Sequence, residues 1–277
     1  MKMQRIAGAL GAQVTDLDLC AAGPNSALQE QLREALYEHQ VLVFPHQNIE
    51  APELERFARG FGELLDHPAY PKVGDTQVQV LASSPEAPSK IEVWHSDMTF
   101  SRTPPSVTVL HGKVIPEFGG DTLFSSAAAA YDALSSAMQL FLADLTAIND
   151  FAHGFQESLA EPSGVERLTP AIAANPPIAH PVVRVHKGSG RRALYVNPLF
   201  TTCISELAGD ESDNLLDFLF AHIVKDEFRL RVQWQPDTVV IWDNAVTQHK
   251  PVNDFFPQHR KLHRLTVVGD EPIGVQQ

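Results

Sequence analysis

Apolar and polar residues alternate with period two from Ala12 to Leu19, as in a strand with one face buried. The period then lengthens. Ser26-Ala-Leu-Gln29 has the spacing of a capping box, and Leu28, Leu32 and Leu36 after it share one face of a helix. Val41 to Phe44 is a short apolar strand ended by Pro45, and a second helix opening near Pro52 buries Leu54, Phe57 and Phe61 before Gly62. Beyond this helical opening the chain turns to short runs rich in branched and aromatic residues. Val78–Leu81, Val93–Phe100, Ser106–Gly112 and Thr122–Phe124 are predicted strands. A helical insert follows over about Ser126–Leu145, expected on the outside of the sheets. Strands return at Val182–His186 and Ala193–Val196, and a helix at Ser212–Val224 carries Leu215, Leu216, Leu219 and Ile223. Phe228–Trp234, Thr238–Trp242 and Leu262–Val268 complete the set. Many short strands, scattered helices and 20 prolines predict a mainly β, α+β fold: a sandwich or jelly roll decorated by helices.

Composition narrows the choice of partners. The 277 residues, 44% hydrophobic and 20% charged, carry no tandem repeat and no low-complexity linker, so one domain over 1–277 is expected. A net charge of −13 argues against nucleic acid, and any anion site has to be local, built from a few placed arginines. Cys20 and Cys203 supply neither a disulfide framework nor a metal cluster, which fits reduced thiols in a cytoplasm. No apolar run approaches a signal peptide or a membrane span, so no membrane partner is expected.

The chemistry concentrates in two stretches. In Trp94-His95-Ser96-Asp97, strand alternation points His95 and Asp97 to the same side, where an imidazole and a carboxylate grip one ion. His249, just beyond the apolar strand ending at Trp242, is the third candidate ligand. Two histidines and one carboxylate on one face leave three positions open, the arrangement of iron(II) oxygenases, whereas structural zinc closes a tetrahedron. Two open positions accept a 2-oxo acid and one accepts dioxygen. After His249, the alternation of Arg260-Lys-Leu-His-Arg264 sets Arg260, Leu262 and Arg264 on one face. Arg260, with the Thr122 hydroxyl, is placed to hold the far carboxylate of 2-oxoglutarate, which leaves Arg264 for an anionic substrate. A metal-dependent hydrolase whose triad activates water, or a non-catalytic jelly-roll binding protein, stays open on the residues alone.

The motifs in their order resemble the taurine dioxygenase branch of the iron(II)/2-oxoglutarate-dependent oxygenases, which also includes 2,4-dichlorophenoxyacetate and alkylsulfate dioxygenases. The resemblance runs nearly the full length. It is carried by His67-Pro-Ala-Tyr70, Trp94-His-Ser-Asp-Met-Thr-Phe100, Gly119-Gly-Asp-Thr122, His180-Pro-Val-Val-Arg184, Trp242-Asp-Asn244, Gln248-His249 and His263-Arg264. It implies a double-stranded β-helix with Fe(II) on His95, Asp97 and His249, 2-oxoglutarate on Thr122 and Arg260, and the substrate anion on Arg264, His67 and Tyr70. It implies hydroxylation of an organosulfonate, taurine first, with release of sulfite, aminoacetaldehyde, succinate and CO2; alkyl sulfates, other sulfonates and aryloxyalkanoates are the alternatives. It also leans toward a dimer or tetramer. The pocket positions depart from the taurine pattern: Ile91 or Val93 stands where that pattern has Asn, and Pro198-Leu199 stands where it has Glu-Gly. These changes point to a less polar or longer substrate.

Overall fold

Residues 1–65, 70–88 and 91–275 are described in a computed structural model of the chain. Seven strands form the main sheet, in the order Lys2–Arg5, Ala12–Thr15, Val41–Phe44, Val239–Asp243, Val107–Val114, Arg260–Thr266 and Gln79–Ser83. Period two decides what each face meets. Leu42, Phe44, Val109, Val239, Ile241 and Leu265 point to one side, where the helices Ala27–His39 and Ala51–Arg59 lay Leu32, Leu36, Leu54 and Phe57 over them. Phe44 and Phe57 meet edge to face with ring centroids 6.2 Å apart. The intervening residues Val41, Val43, Leu110, Val240, Trp242 and Leu262 point the other way. There they meet Phe124, Leu230, Val232 and Trp234.

Those last residues belong to or adjoin a smaller sheet, ordered Arg229–Val232, Thr122–Ser126, Thr247–Pro251. The space between the two sheets is the inside of the jelly roll, and the functional residues lie in it. A further helical layer, Ala127–Asp132 and Ser136–Leu142 with Gly209–Ile223, packs with the strands Val183–Val185 and Arg192–Leu194 into a separate apolar cluster.

Sequence and structure part at several places. The capping box at Ser26 is half made: Ser26 Oγ accepts from Gln29 N–H at 3.1 Å, but the Gln29 amide returns no bond. The strand predicted over Ala12–Leu19 stops at Thr15, because Asp16 turns into the left-handed region and Asp18 caps a short 3-10 turn, Leu19–Ala21. The insert over 126–145 is two helices, the second started by Ser135, whose hydroxyl accepts from Met138 N–H. The strand predicted over Val93–Phe100 does not form. His95 makes a single antiparallel bridge with His249, and the chain then turns, with Met98 at φ 49°. The aromatic and apolar residues there encode burial, since Phe100 packs edge to face on Phe151 and Phe200. Three strands, Thr146–Asn149, Ile178–Pro181 and Thr201–Ile204, form a sheet without a clear period of their own in the sequence.

Candidate active site

His249 sits on the strand Thr247–Pro251, opposite Phe124, its ring 4.8 Å from that of Trp242. The bridge to His95 uses both backbone bonds, His95 N to His249 O at 3.0 Å and His249 N to His95 O at 2.7 Å. It fixes two residues 154 positions apart in sequence. Ser96 adds a third tie, donating its hydroxyl to Thr247 O at 2.6 Å. Asp97 enters from the turn that follows. Its Oδ1 stands 3.8 Å from Nε2 of His95 and 3.8 Å from Nε2 of His249. The three ligand atoms lie within 4.8 Å of one another, and all three residues are buried.

This donor set fits a divalent ion. At 3.8 Å the carboxylate and imidazoles are too far apart to hydrogen-bond one another, so these polar atoms face one another with room between them. His95 Nδ1 lies 2.8 Å from the Val93 carbonyl, which can only accept; the ring proton is therefore on Nδ1 and the Nε2 lone pair faces the centre. Burial lowers the His95 pKa, and it drives that of His249 to about 3, with His95 adding to the effect against Asp97. Both rings are neutral at physiological pH, as ligation requires. Burial opposes charge on Asp97, yet the Arg264 guanidinium and the Thr108 hydroxyl hold the carboxyl well below the usual range. The site thus offers one anion and two neutral nitrogens.

The ligand atoms open on a cavity of about 750 Å³. Thr122 and Arg260 line it, as do Arg264 and Tyr70. Arg260 is 9% exposed and forms no ion pair among the described residues; its Nε has no partner. Burial lowers its pKa to about 10, against the pull of Asp121, so it remains charged at neutral pH. Asp121, the carboxylate whose charge acts on it, is already taken by Arg231 Nε at 2.5 Å. Thr122 Oγ receives the Trp234 indole N–H at 3.0 Å and an Arg260 N–H at 3.4 Å. Both of those neighbours can only donate, so the Thr122 hydroxyl proton is left over for an acceptor in the cavity. A buried guanidinium beside a spare hydroxyl proton can bind a carboxylate.

The family profile described as "Taurine catabolism dioxygenase TauD, TfdA family" matches residues 2–266. The chain belongs to this family. It is 32% identical to an alkylsulfatase of Acinetobacter baylyi, over 99% of this chain and 87% of that protein. It is 31% identical to an alpha-ketoglutarate-dependent sulfate ester dioxygenase of Pseudomonas putida, over 98% of this chain and 90% of that protein. A crystal structure of a taurine dioxygenase from Burkholderia xenovorans superimposes with a TM-score of 0.83 at 30% identity, covering 99% of this chain and 92% of that one. The protein is a 2-oxoglutarate-dependent non-haem iron dioxygenase, using Fe(II) with 2-oxoglutarate and dioxygen. The hydrolase and non-catalytic readings fall away.

For this dioxygenase the sequence-predicted residues meet unevenly. His95, Asp97, His249, Thr122, Arg260, Arg264 and Tyr70 all border the one cavity. His67 lies outside the described residues. Arg264 is placed as expected, on the inner face with Arg260 and Leu262, but its guanidinium is 3.0 Å from Asp97 Oδ2, so it reaches the candidate metal ligand itself. Trp242 is a core wedge, 1% exposed, while Trp94 is half-buried. Asp243 caps a turn through Ala245 N–H and also pairs with His186 Nε2 at 3.0 Å. Two polar residues around Asp97 were missed: Thr108 and Asn244. Asn244 had a signal in the Trp242-Asp-Asn244 motif, but Thr108, in an apolar strand, had none.

Proposed function

We propose that the dioxygenase oxidises an alkyl sulfate or alkylsulfonate with an apolar tail, at the carbon bearing the sulfur-linked group. The observation that carries this is a single cavity lined both by cationic donors and by a broad set of apolar side chains. Arg260, Arg264 and Thr122 offer cationic and hydroxyl donors to it, and Ile91, Val93, Leu110, Phe155, Pro198 and Leu199 supply apolar wall. An anionic head needs the first and a hydrocarbon chain needs the second; each methylene buried against such a wall contributes about 0.8 kcal/mol. The similarity to an alkylsulfatase and a sulfate ester dioxygenase supports the same reading. Taurine, the substrate first expected from the resemblance, is a less natural fit. Its two-carbon chain would leave most of that apolar wall uncovered.

In this reading His95, Asp97 and His249 hold the iron, which when bound supplies the oxygen activation. Arg260 and the Thr122 hydroxyl grip the distal carboxylate of 2-oxoglutarate. Arg264 and Tyr70 orient the substrate anion, with His67 as a further candidate. Hydroxylating the carbon next to an ester oxygen leaves an unstable hemiacetal-type product that falls apart to an aldehyde and sulfate; a sulfonate would give an aldehyde and sulfite. Each turnover converts 2-oxoglutarate and dioxygen to succinate and CO2.

A turnover screen tests this. Succinate, aldehyde and sulfate or sulfite are followed with taurine, short and long alkylsulfonates, alkyl sulfates of increasing chain length and aryloxyacetates. kcat/KM should climb with chain length among the sulfur compounds. Taurine or an aryloxyacetate as the best substrate would overturn the proposal.

A further inference from the structure

Behind Asp97 lies a chain of hydrogen bonds whose direction is fixed by chemistry alone. Strand register sets Trp242 opposite Thr108, and Asn244 follows two residues on, its N–H anchored to Ser106 O at 2.8 Å. The Trp242 indole N–H can only donate, and it lies 2.8 Å from Asn244 Oδ1. That settles which way the amide faces: its NH₂ side is turned to Thr108 Oγ, at 2.8 Å. Thr108 Oγ therefore accepts from Asn244, and its own proton goes to Asp97 Oδ2, at 2.8 Å. All four residues are buried, with Thr108 fully inaccessible and Asn244 at 1% exposure.

The outcome is an asymmetric carboxylate. Oδ2 is engaged twice, by the Thr108 hydroxyl and by Arg264 at 3.0 Å. Oδ1 faces the two imidazole nitrogens at 3.8 Å, with no hydrogen bond. We infer that Thr108, oriented by Asn244 and Trp242, is a positioning residue that makes Asp97 a one-oxygen ligand. A carboxylate free to turn chelates through both oxygens and takes one of the positions that the 2-oxo acid and dioxygen require. Arg264 does not suffice for this duty, because it also faces the cavity where the substrate anion is proposed to bind. Thr108 does not line that cavity, and its hydroxyl bonds inward. The inference rests on the reading that His95, Asp97 and His249 are the iron ligands.

The test uses the full-length protein under anaerobic conditions. Iron(II) affinity is measured by titration, and chelation of 2-oxoglutarate by the visible charge-transfer band it gives with bound iron. Thr108→Val keeps the shape and removes the donor; Thr108→Ser keeps the donor. Thr108→Val should lower iron affinity or the 2-oxoglutarate band at fixed co-substrate by about tenfold or more, the scale of lost outer-shell partners. Thr108→Ser should restore both. Asn244→Ala should cost a similar factor in the wild type and little in the Thr108→Val background, because it acts through Thr108. The inference is overturned if Thr108→Val binds iron and 2-oxoglutarate like wild type, if Thr108→Ser fails to restore binding, or if the two losses add in full. A lower melting temperature with both affinities intact counts against it too, since that marks a structural role alone. Asp97→Ala separates the premise: iron retained by that variant sinks the metal assignment, whereas iron lost there but untouched in Thr108→Val sinks only the positioning role.

Discussion

At Arg260 a charge lies buried with no ion pair among the described residues, a state that costs several kcal/mol unless an anion completes it. Arg260→Ala should remove charge-assisted hydrogen bonds to 2-oxoglutarate of about 1.5–3 kcal/mol each. Losing one raises the half-saturating concentration roughly ten- to hundredfold, by steady-state titration of the co-substrate. Arg264→Ala should raise KM for the organosulfur substrate while 2-oxoglutarate decarboxylation continues slowly and uncoupled. An unchanged KM for every substrate would count against the anion role. Asp97→Ala should abolish turnover and iron binding together. These residue types were legible in the sequence because histidine, aspartate and arginine announce their chemistry. The contact between Arg264 and Asp97 was not. Strand period gives the face on which a side chain lies, but not which neighbour its long stem reaches.

Among the elements, the helices were the easiest to read and the turn that carries Asp97 the hardest. Ser26 caps the helix Ala27–His39 as its sequence predicts, so Ser26→Ala should cost about 1 kcal/mol. That corresponds to a Tm lower by roughly 2–4 °C in a thermal melt. His95 and Asp97 were placed together by the alternation of a strand that does not exist. They meet for another reason: the His95–His249 bridge holds one, and the turn through Met98 brings round the other. A local pattern cannot foresee this, since a bridge is a bargain between two distant segments. The stretch 146–180 was silent for a related cause. Its strands are short, its helix Gly164–Ala174 carries Pro170 inside it, and only Gly164 of that helix is buried.

Over the whole molecule, burial of titratable groups sets how stability depends on pH. His111 is fully buried on the strand Val107–Val114, its Nε2 3.4 Å from Asp237 Oδ1 and its Nδ1 without a hydrogen bond among the described residues. Burial, then Lys113, drives its pKa to about 4, against the pull of Asp237. The unfolded chain, with an ordinary histidine near 6.5, binds a proton between those two values that the folded chain does not. Stability is therefore complete above about pH 6.5 and falls as the pH drops toward 4, by at most about 3 kcal/mol from this residue. In melts of the metal-free protein, Tm should decline from pH 7 to pH 4.5. His111→Asn should flatten that slope, and an unchanged slope would assign the loss to other groups. His95 and His249, also lowered by burial, act with the same sign.

The sequence by itself determined the kinds of chemistry present and the faces on which they lie: two imidazoles, a carboxylate, paired arginines on one side of a strand, and the apolar stripes that build a helix-covered sandwich. Such information is local, carried by side-chain type and by the periods of 2 and 3.6 residues. The tertiary structure decided the rest. It closed His249 onto His95, and it left Arg260 buried beside a hydroxyl with a proton to spare. It also aligned Trp242, Asn244 and Thr108 behind a single oxygen of Asp97. Each of these depends on strands far apart in the chain becoming neighbours, and on desolvation that exists only once the two sheets have packed.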